Sequence, residues 1–189
     1  FNAAWKIAAP RAEEKNIILV HGAEITREMP PGHLNALFIR DASLLDMLDP
    51  MAAVEAAVRQ GAFIMYNHPG WKQQQEDGVA RLYPLHHELI AKGWLHGIEY
   101  YNTHEGYPPV LDMCRSHKLA VMGSSDIHDV ISEVYAPPAH SHRLLTLVFA
   151  KERTGASVRE ALFAGRTVAW YADELAAFEE YAGPLFAAA

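Results

Sequence analysis

Ala62-Phe63-Ile64-Met65-Tyr66-Asn67-His68-Pro69-Gly70-Trp71 decides how the chain folds. An uncharged apolar run this short, entered from Gly61 and left through Asn67, reads as a strand buried on both faces. His68 stands where the chain leaves the core. The arrangement recurs at Leu119 to Met122, which is followed by Gly123-Ser124-Ser125-Asp126-Ile127-His128, and at Ile17 to Ala23, which ends in Glu24. Nine residues after Glu24 comes His33, in Pro30-Pro31-Gly32-His33. Barrel enzymes build active sites from side chains delivered to strand ends in this way. Carboxylate and imidazole together suit Zn, Mn or Fe, because imidazole binds borderline metals and a carboxylate can bridge two ions. A lone histidine after a strand is more often structural. Glu, His and Asp-x-His at three successive strand ends point instead to one shared metal site.

Around these runs, helix and strand patterns alternate. A helix is expected over residues 3 to 15, with Pro10 able to break or kink it. Ala36 to Ile39 is a short strand. Pro50 to Gln60 is a helix that starts with a proline after Asp49 and ends at Gly61. Leu85 to Lys92 is a helix closed by Gly93, and Gly97 to Tyr101 a strand. Pro109 to Ser116 is a helix, Leu144 to Phe149 a strand, Ser157 to Ala164 a helix ended by Gly165, and Thr167 to Trp170 a last strand. The succession predicts an α/β protein with parallel β/α units in one domain over residues 1–189, either a barrel or an open doubly wound sheet. No fixed-period repeat, glycine-rich phosphate loop or GxGxxG is present, which disfavours solenoids and nucleotide-binding sheets.

Composition narrows the function. The formal net charge is -7, with 16 Lys and Arg against 23 Asp and Glu, so a broad nucleic-acid surface is not expected. An acidic protein still processes a phosphate ester when bound cations carry the local positive charge. Half of the residues are apolar, yet no run reaches the roughly 18 to 20 uncharged residues of a membrane span. A soluble protein is expected, with cytoplasm and periplasm both open. Cys114 is the only cysteine, which excludes an internal disulfide and a thiolate cluster; in its helical pattern it reads as a small buried apolar side chain.

The stretches Gly22-Ala23-Glu24-Ile25-Thr26-Arg27, Pro31-Gly32-His33, Asn67-His68-Pro69, Gly97-Ile98-Glu99-Tyr100-Tyr101-Asn102 and Gly123-Ser124-Ser125-Asp126-Ile127-His128 resemble, in order, successive motifs of the PHP (polymerase and histidinol phosphatase) superfamily. The resemblance spans about residues 1 to 170 and is similar in detail to a bacterial phosphoesterase branch. It implies a distorted, TIM-like, seven-stranded β/α barrel and a metal-dependent hydrolase acting on a small phosphomono- or phosphodiester. Two or three divalent metal ions (Zn, Mn or Fe) are implied per complete site. The family's first motif, a His-x-His pair on the first barrel strand, is not in this sequence. The expectation is therefore a barrel lacking its first strand or strands here, with either a preceding segment that supplies the pair beside Asp126 or an incomplete, weakly metallated site.

Carried over residue by residue, the resemblance implies that Glu24 bridges two metals and that His33 and His68 complete the second. Asp126 joins Glu24 on the first, and His128 serves a third. A metal-activated hydroxide would attack phosphorus. Arg27, just past the bridging carboxylate, is a candidate partner for a phosphate oxygen or equally a surface ion pair. His104, at the end of the strand carrying Glu99, is a candidate substrate or metal contact. Trp71 and Tyr101 could wall a leaving group or simply pack. His21 reads as a core or supporting group, and His86, His87, His96, His117, His140 and His142 as solvated. Two other readings stay open: a non-catalytic PHP-like structural or interaction module, and a related metal-dependent amidohydrolase.

Overall fold

A computed structural model gives the fold for residues 1–135 and 142–188; His140 lies outside the described residues. The chain runs α1 (Ala3–Glu14), β1 (Gly22–Ile25), β2 (Leu34–Leu37), α2 (Pro50–Arg59), β3 (Phe63–Tyr66), α3 (Pro84–Ala91), β4 (Gly97–Asn102) and β5 (Glu105–Gly106). It continues through α4 (Pro109–His117), β6 (Ala120–Ser124), α5 (Ile131–Val134), β7 (Leu145–Val148), α6 (Gly155–Phe163), β8 (Thr167–Tyr171), β9 (Glu174–Ala176) and α7 (Glu179–Ala188). α1 passes through Pro10 without ending. α2 starts as its sequence predicts, with Pro50 in the first turn and the Asp49 carboxylate accepting from the Met51 and Ala52 N–H groups at 3.3 and 3.1 Å.

The fold is α/β as expected, but the expected parallel β/α pattern is kept only in part. β1 pairs antiparallel with β2 and β2 antiparallel with β3, and only β3–β4 and β4–β6 are parallel. β7, β8 and β9 form a separate antiparallel sheet. Among the described residues no closed barrel forms. Where a barrel would carry backbone pairing from β6 to β7, a side chain intervenes: the Gly123 N–H donates to Thr146 Oγ1 at 2.9 Å, and that hydroxyl donates back to the Gly123 carbonyl at 2.7 Å. Gly123 lets the sheets approach this closely, since a Cβ there would lie 2.7 Å from Leu144 Cδ2.

The expected strand over Ile17 to Ala23 begins only at Gly22, and Ile17 and Ile18 are exposed. Its partner explains this. Phe38 turns to φ 66°, so the ladder stops at Gly22 opposite Leu37. The same turn ends β2 before Ile39, short of the expected Ala36 to Ile39 strand.

β3 is buried throughout, as an uncharged run requires. Its alternation splits it between two packed layers, as the two-residue period of a strand dictates. Ile64 and Tyr66 join Leu34, Ile98, Val121, Leu89 and Cys114 on one face, while Phe63 and Met65 meet Ala120, Met122 and Leu162 on the other. Burial pushes the Cys114 thiol up to about 12, in keeping with an inert core residue. No helix among the described residues is long and apolar enough to cross a membrane.

Two histidines expected to be solvated are structural. His86 is fully buried and stacks on Tyr66; its Nδ1 accepts from the Tyr83 N–H at 3.0 Å and its Nε2 bonds the Pro31 carbonyl at 2.7 Å. A carbonyl demands a donor and an N–H an acceptor, so this imidazole is neutral with its proton on Nε2. It pins the loop that carries His33. His96 accepts from the Ile64 N–H through Nδ1 at 3.0 Å and lies between Phe63 and Phe163. Burial holds both imidazoles down at about 4.

Because the unfolded imidazole titrates near 6.5 and folded His96 near 4, the unfolded state binds the extra proton between those values. The stability contributed by the neutral group is complete above pH 6.5 and is lost as pH falls toward 4. Urea unfolding near neutral pH and at about pH 4.5 should therefore show wild type losing about 2 kcal/mol more than His96→Gln over that interval. Equal losses would show that His96 does not titrate this way.

Candidate metal centre

Every strand that supplies a candidate ligand has one end at the same edge of the large sheet. The antiparallel β1–β2 pair sets Ile25 opposite Leu34 and Glu24 opposite Asn35, so the end of β1 and the start of β2 coincide. Directly opposed residues share a face, and so do residues two apart, which puts His33 beside Glu24. The His33 Nδ1 lies 2.8 Å from Glu24 Oε1. β2 and β3 continue the ladder by one bond, from the Asn67 N–H to the His33 carbonyl at 3.0 Å. His68 therefore emerges beside His33, and its Nε2 lies 3.1 Å from His33 Nδ1.

Strict alternation would send the His68 side chain to the face of Tyr66, into the core. The backbone prevents this by turning left-handed, with φ 29° at His68. Asp126 does the same after β6, with φ 47°. Such conformations cost on the order of 1–3 kcal/mol in residues with side chains, and they collect at functional sites.

Both strained residues adjoin one buried carboxylate. Glu99, on β4, is fully buried. Its Oε2 accepts from the His68 N–H at 2.6 Å and from Asn102 Nδ2 at 2.9 Å, and its Oε1 accepts from the Ser124 hydroxyl. Burial raises this carboxyl to about 7, against the pull of its three donors. β5 makes room for the arrangement. β3 pairs with β4 only at Gly97 and Ile98, and β5 takes over at Tyr101 and Asn102, so β3 is free to turn away at His68.

A cavity of about 510 Å³ opens over these strand ends. Glu24, His33, His68, Asp126, His128 and His104 line it, so the structure brings together every residue assigned from sequence except Arg27. The Arg27 guanidinium bonds the Thr26 carbonyl at 2.6 Å and the Met47 carbonyl, and does not line the cavity. His128 folds back on its own loop, with Nδ1 2.9 Å from the Asp126 carbonyl oxygen and a largely exposed ring. The His104 Nδ1 is 2.8 Å from the Tyr171 hydroxyl. Trp71 forms a wall, edge-on to His68 with ring centroids 5.1 Å apart. Tyr101 instead donates to Glu174 at 2.6 Å and faces a neighbouring cavity. His21 stacks on Trp5, 4.7 Å away, in a structural role. A larger opening of about 610 Å³ at Arg115, Lys118 and Phe178 is lined by no imidazole, so the candidate metal ligands gather at the smaller one.

Sequence reasoning missed Thr26, whose hydroxyl donates to Glu24 Oε1 at 2.8 Å, and it named Glu99 only as a residue of the strand that leads to His104. The available signal for Glu99 was a lone carboxylate within the apolar run Gly97-Ile98-Glu99-Tyr100-Tyr101, which burial requires to be hydrogen-bonded.

The donor set suits a divalent cation in kind: one carboxylate oxygen and two imidazole nitrogens in contact. Burial and the neighbouring His33 lower the His68 pKa, which keeps its ring neutral and its lone pair available at neutral pH. Among the described residues no three such side chains form a finished cage. The donor atoms touch one another, whereas ligands about 2.1 Å from a tetrahedral ion stand about 3.4 Å apart. To reach that spacing their contacts of 2.8 and 3.1 Å would open by about 0.6 and about 0.3 Å.

No protein-family model and no curated protein matches the chain. Solved structures do. A protein from Bacteroides vulgatus, described as a two-domain protein containing a predicted PHP-like metal-dependent phosphoesterase, superposes with a TM-score of 0.96 and 40% identity. The match covers 99% of this chain and 54% of that one, so the chain spans about half the length of its relative. A Bifidobacterium adolescentis protein named for the same metal-dependent phosphoesterase class matches with a TM-score of 0.53 and 17% identity, over 87% of this chain and 83% of that one, and speaks for the fold alone. Both names are themselves predictions. The resemblance read from the motifs is thus borne out by the first of these, which is named for a PHP-like metal-dependent phosphoesterase and matches 99% of this chain.

Proposed function

We propose that this protein hydrolyses a small phosphate ester with the help of divalent cations held by Glu24, His33, His68 and Asp126. The observation that carries the reading is the continuous contact from Glu24 Oε1 through His33 Nδ1 to His68 Nε2 inside the cavity that Asp126 and His128 also line. The likeness at 40% identity extends over the whole of this region and supports the same class.

In this reading Glu24, His33, His68 and Asp126 would hold the ions, with Glu24 shared between two of them, and His128 would serve a further one after leaving its contact with the Asp126 carbonyl. Zn, Mn and Fe all suit these ligands. Bound cations of this kind supply a water acidified to near neutral pH and neutralise charge on the phosphoryl oxygens. The chain's own side chains do the rest. Thr26 fixes the orientation of the Glu24 carboxylate through its hydrogen bond. Trp71 walls one side of the cleft against His68, and His104 lines the opposite part with its Nδ1 held by the Tyr171 hydroxyl. Arg27 has no part in this reading, since its guanidinium is committed to backbone carbonyls.

Metal content gives a direct test. Elemental analysis after loading with Mn or Zn should show less metal per chain for Glu24→Ala than for wild type, with circular dichroism unchanged. Undiminished stoichiometry would remove Glu24 from the ligand set.

Turnover gives a second test. Metal-loaded protein should cleave p-nitrophenyl phosphate or its diester, and Asp126→Asn should lower kcat by about a hundredfold or more while the fold is kept. Full activity in that variant would reject the role of Asp126. Metal uptake without turnover of either ester would favour the non-catalytic module.

A further inference from the structure

We infer that Glu99 is a positioning residue, a buried brace that holds His68 and the Asp126 loop in their strained conformations; the inference rests on the metal site proposed above. A fully buried carboxylate must have its lone pairs filled, and Glu99 fills them from three strand ends at once. One oxygen takes the His68 N–H and the Asn102 side-chain amide; the other takes the Ser124 hydroxyl, two residues before Asp126. Glu99 lines no part of the cavity, so it acts through the residues that do.

The backbone angles say what the brace does. His68 and Asp126 both sit at positive φ, 29° and 47°. Neither is glycine, so each needs a local interaction that outweighs its strain. For His68 that interaction is the short bond from its own N–H to Glu99. Without it the residue has every reason to relax toward ordinary strand geometry, which would swing the imidazole from His33 toward the core. The Ser124 bond anchors the root of the Asp126 loop to the same carboxylate, so the two ligand-bearing strand ends share one reference point. This geometry accounts for a buried carboxylate in β4 that supplies no surface to the cleft.

Side-chain chemistry makes the inference testable with three variants. Glu99→Leu removes the acceptors. Glu99→Asp keeps the charge but draws the acceptors back by one methylene. Glu99→Gln can keep the geometry: its amide oxygen accepts from His68 and Asn102 while its NH2 donates to the Ser124 hydroxyl oxygen.

The first readout is hydrogen exchange at the His68 amide in chelator-treated protein, measured residue by residue by NMR. In Glu99→Leu and Glu99→Asp, His68 should exchange at least about tenfold faster than in wild type, with the β3 amides of Ile64 and Met65 unchanged. Glu99→Gln should restore protection. The second readout is calorimetric titration with Mn or Zn, in which Leu and Asp should weaken affinity by about tenfold or more and Gln should come within a few-fold of wild type.

An equally protected His68 in a folded Glu99→Leu overturns the brace, and so does unchanged metal affinity. Loss of protection across all of β3 would show a merely structural role and overturns it as well. If Glu99→Leu does not fold, Glu99→Asp decides by the same criteria. Wild type that takes up no metal would refute the proposed metal site, while the exchange measurement still judges whether Glu99 holds His68.

Discussion

A strand buried on both faces has nowhere along its length to carry polar chemistry, and this constraint arranges the rest of the molecule. β3 exposes none of its residues, and β4 and β6 are nearly as enclosed. Polar side chains on such strands either find partners inside, as Glu99 does, or move to the ends, as His68 and Asp126 do. Because β3, β4 and β6 are parallel, their carboxyl ends fall at one edge of the sheet. The antiparallel β1–β2 pair then brings the end of one strand and the start of the next to that same edge, so Glu24 and His33 arrive there from opposite chain directions.

Precision at that edge comes from beneath it. His86 ties the Pro31 carbonyl from below while stacked on Tyr66, which fixes the loop immediately before His33. Glu99 ties the backbone of His68 and the side chain of Ser124. Each is a buried polar group satisfied by neighbours distant in sequence. Such a group contributes little net stability, but it is costly to misplace, and it therefore specifies one geometry.

The parts of this design legible in the sequence were those that depend on local pattern. Uncharged runs ending in His68 and Asp126 gave β3, β6 and their functional ends, and the Asp49-Pro50 start and Gly61 stop bracketed α2 to within a residue. Orientation was not local. β1 and β2 could be read as strands but not as antiparallel, because direction depends on a ladder between residues whose pairing no periodicity records. The separate sheet of β7 to β9 rests on its own antiparallel ladders, and beside β6 the Thr146 hydroxyl stands where a backbone group was expected. His86 and His96 were misread as solvated because a histidine in a helix or loop looks the same whether its partners are waters or the carbonyl of Pro31 and the amide of Ile64. The site residues were read by type and place, but Arg27 was assigned on proximity in sequence alone, and its side chain turns to Met47.

Electrostatics orders the events at the site. Among its lining residues the cleft carries the carboxylates of Glu24, Glu105 and Asp126, and no lysine or arginine, in a chain of net charge -7. An anionic ester approaching that surface meets repulsion, strengthened by the reduced polarity of a partly enclosed cavity. Divalent cations would reverse the sign, since two of them would bring four positive charges to three carboxylates. The lowered pKa of His68 works in the same direction, because a neutral imidazole binds a cation that a protonated one would repel. Under the proposed function the cleft would therefore take up cations first, and a phosphate ester only once they are in place.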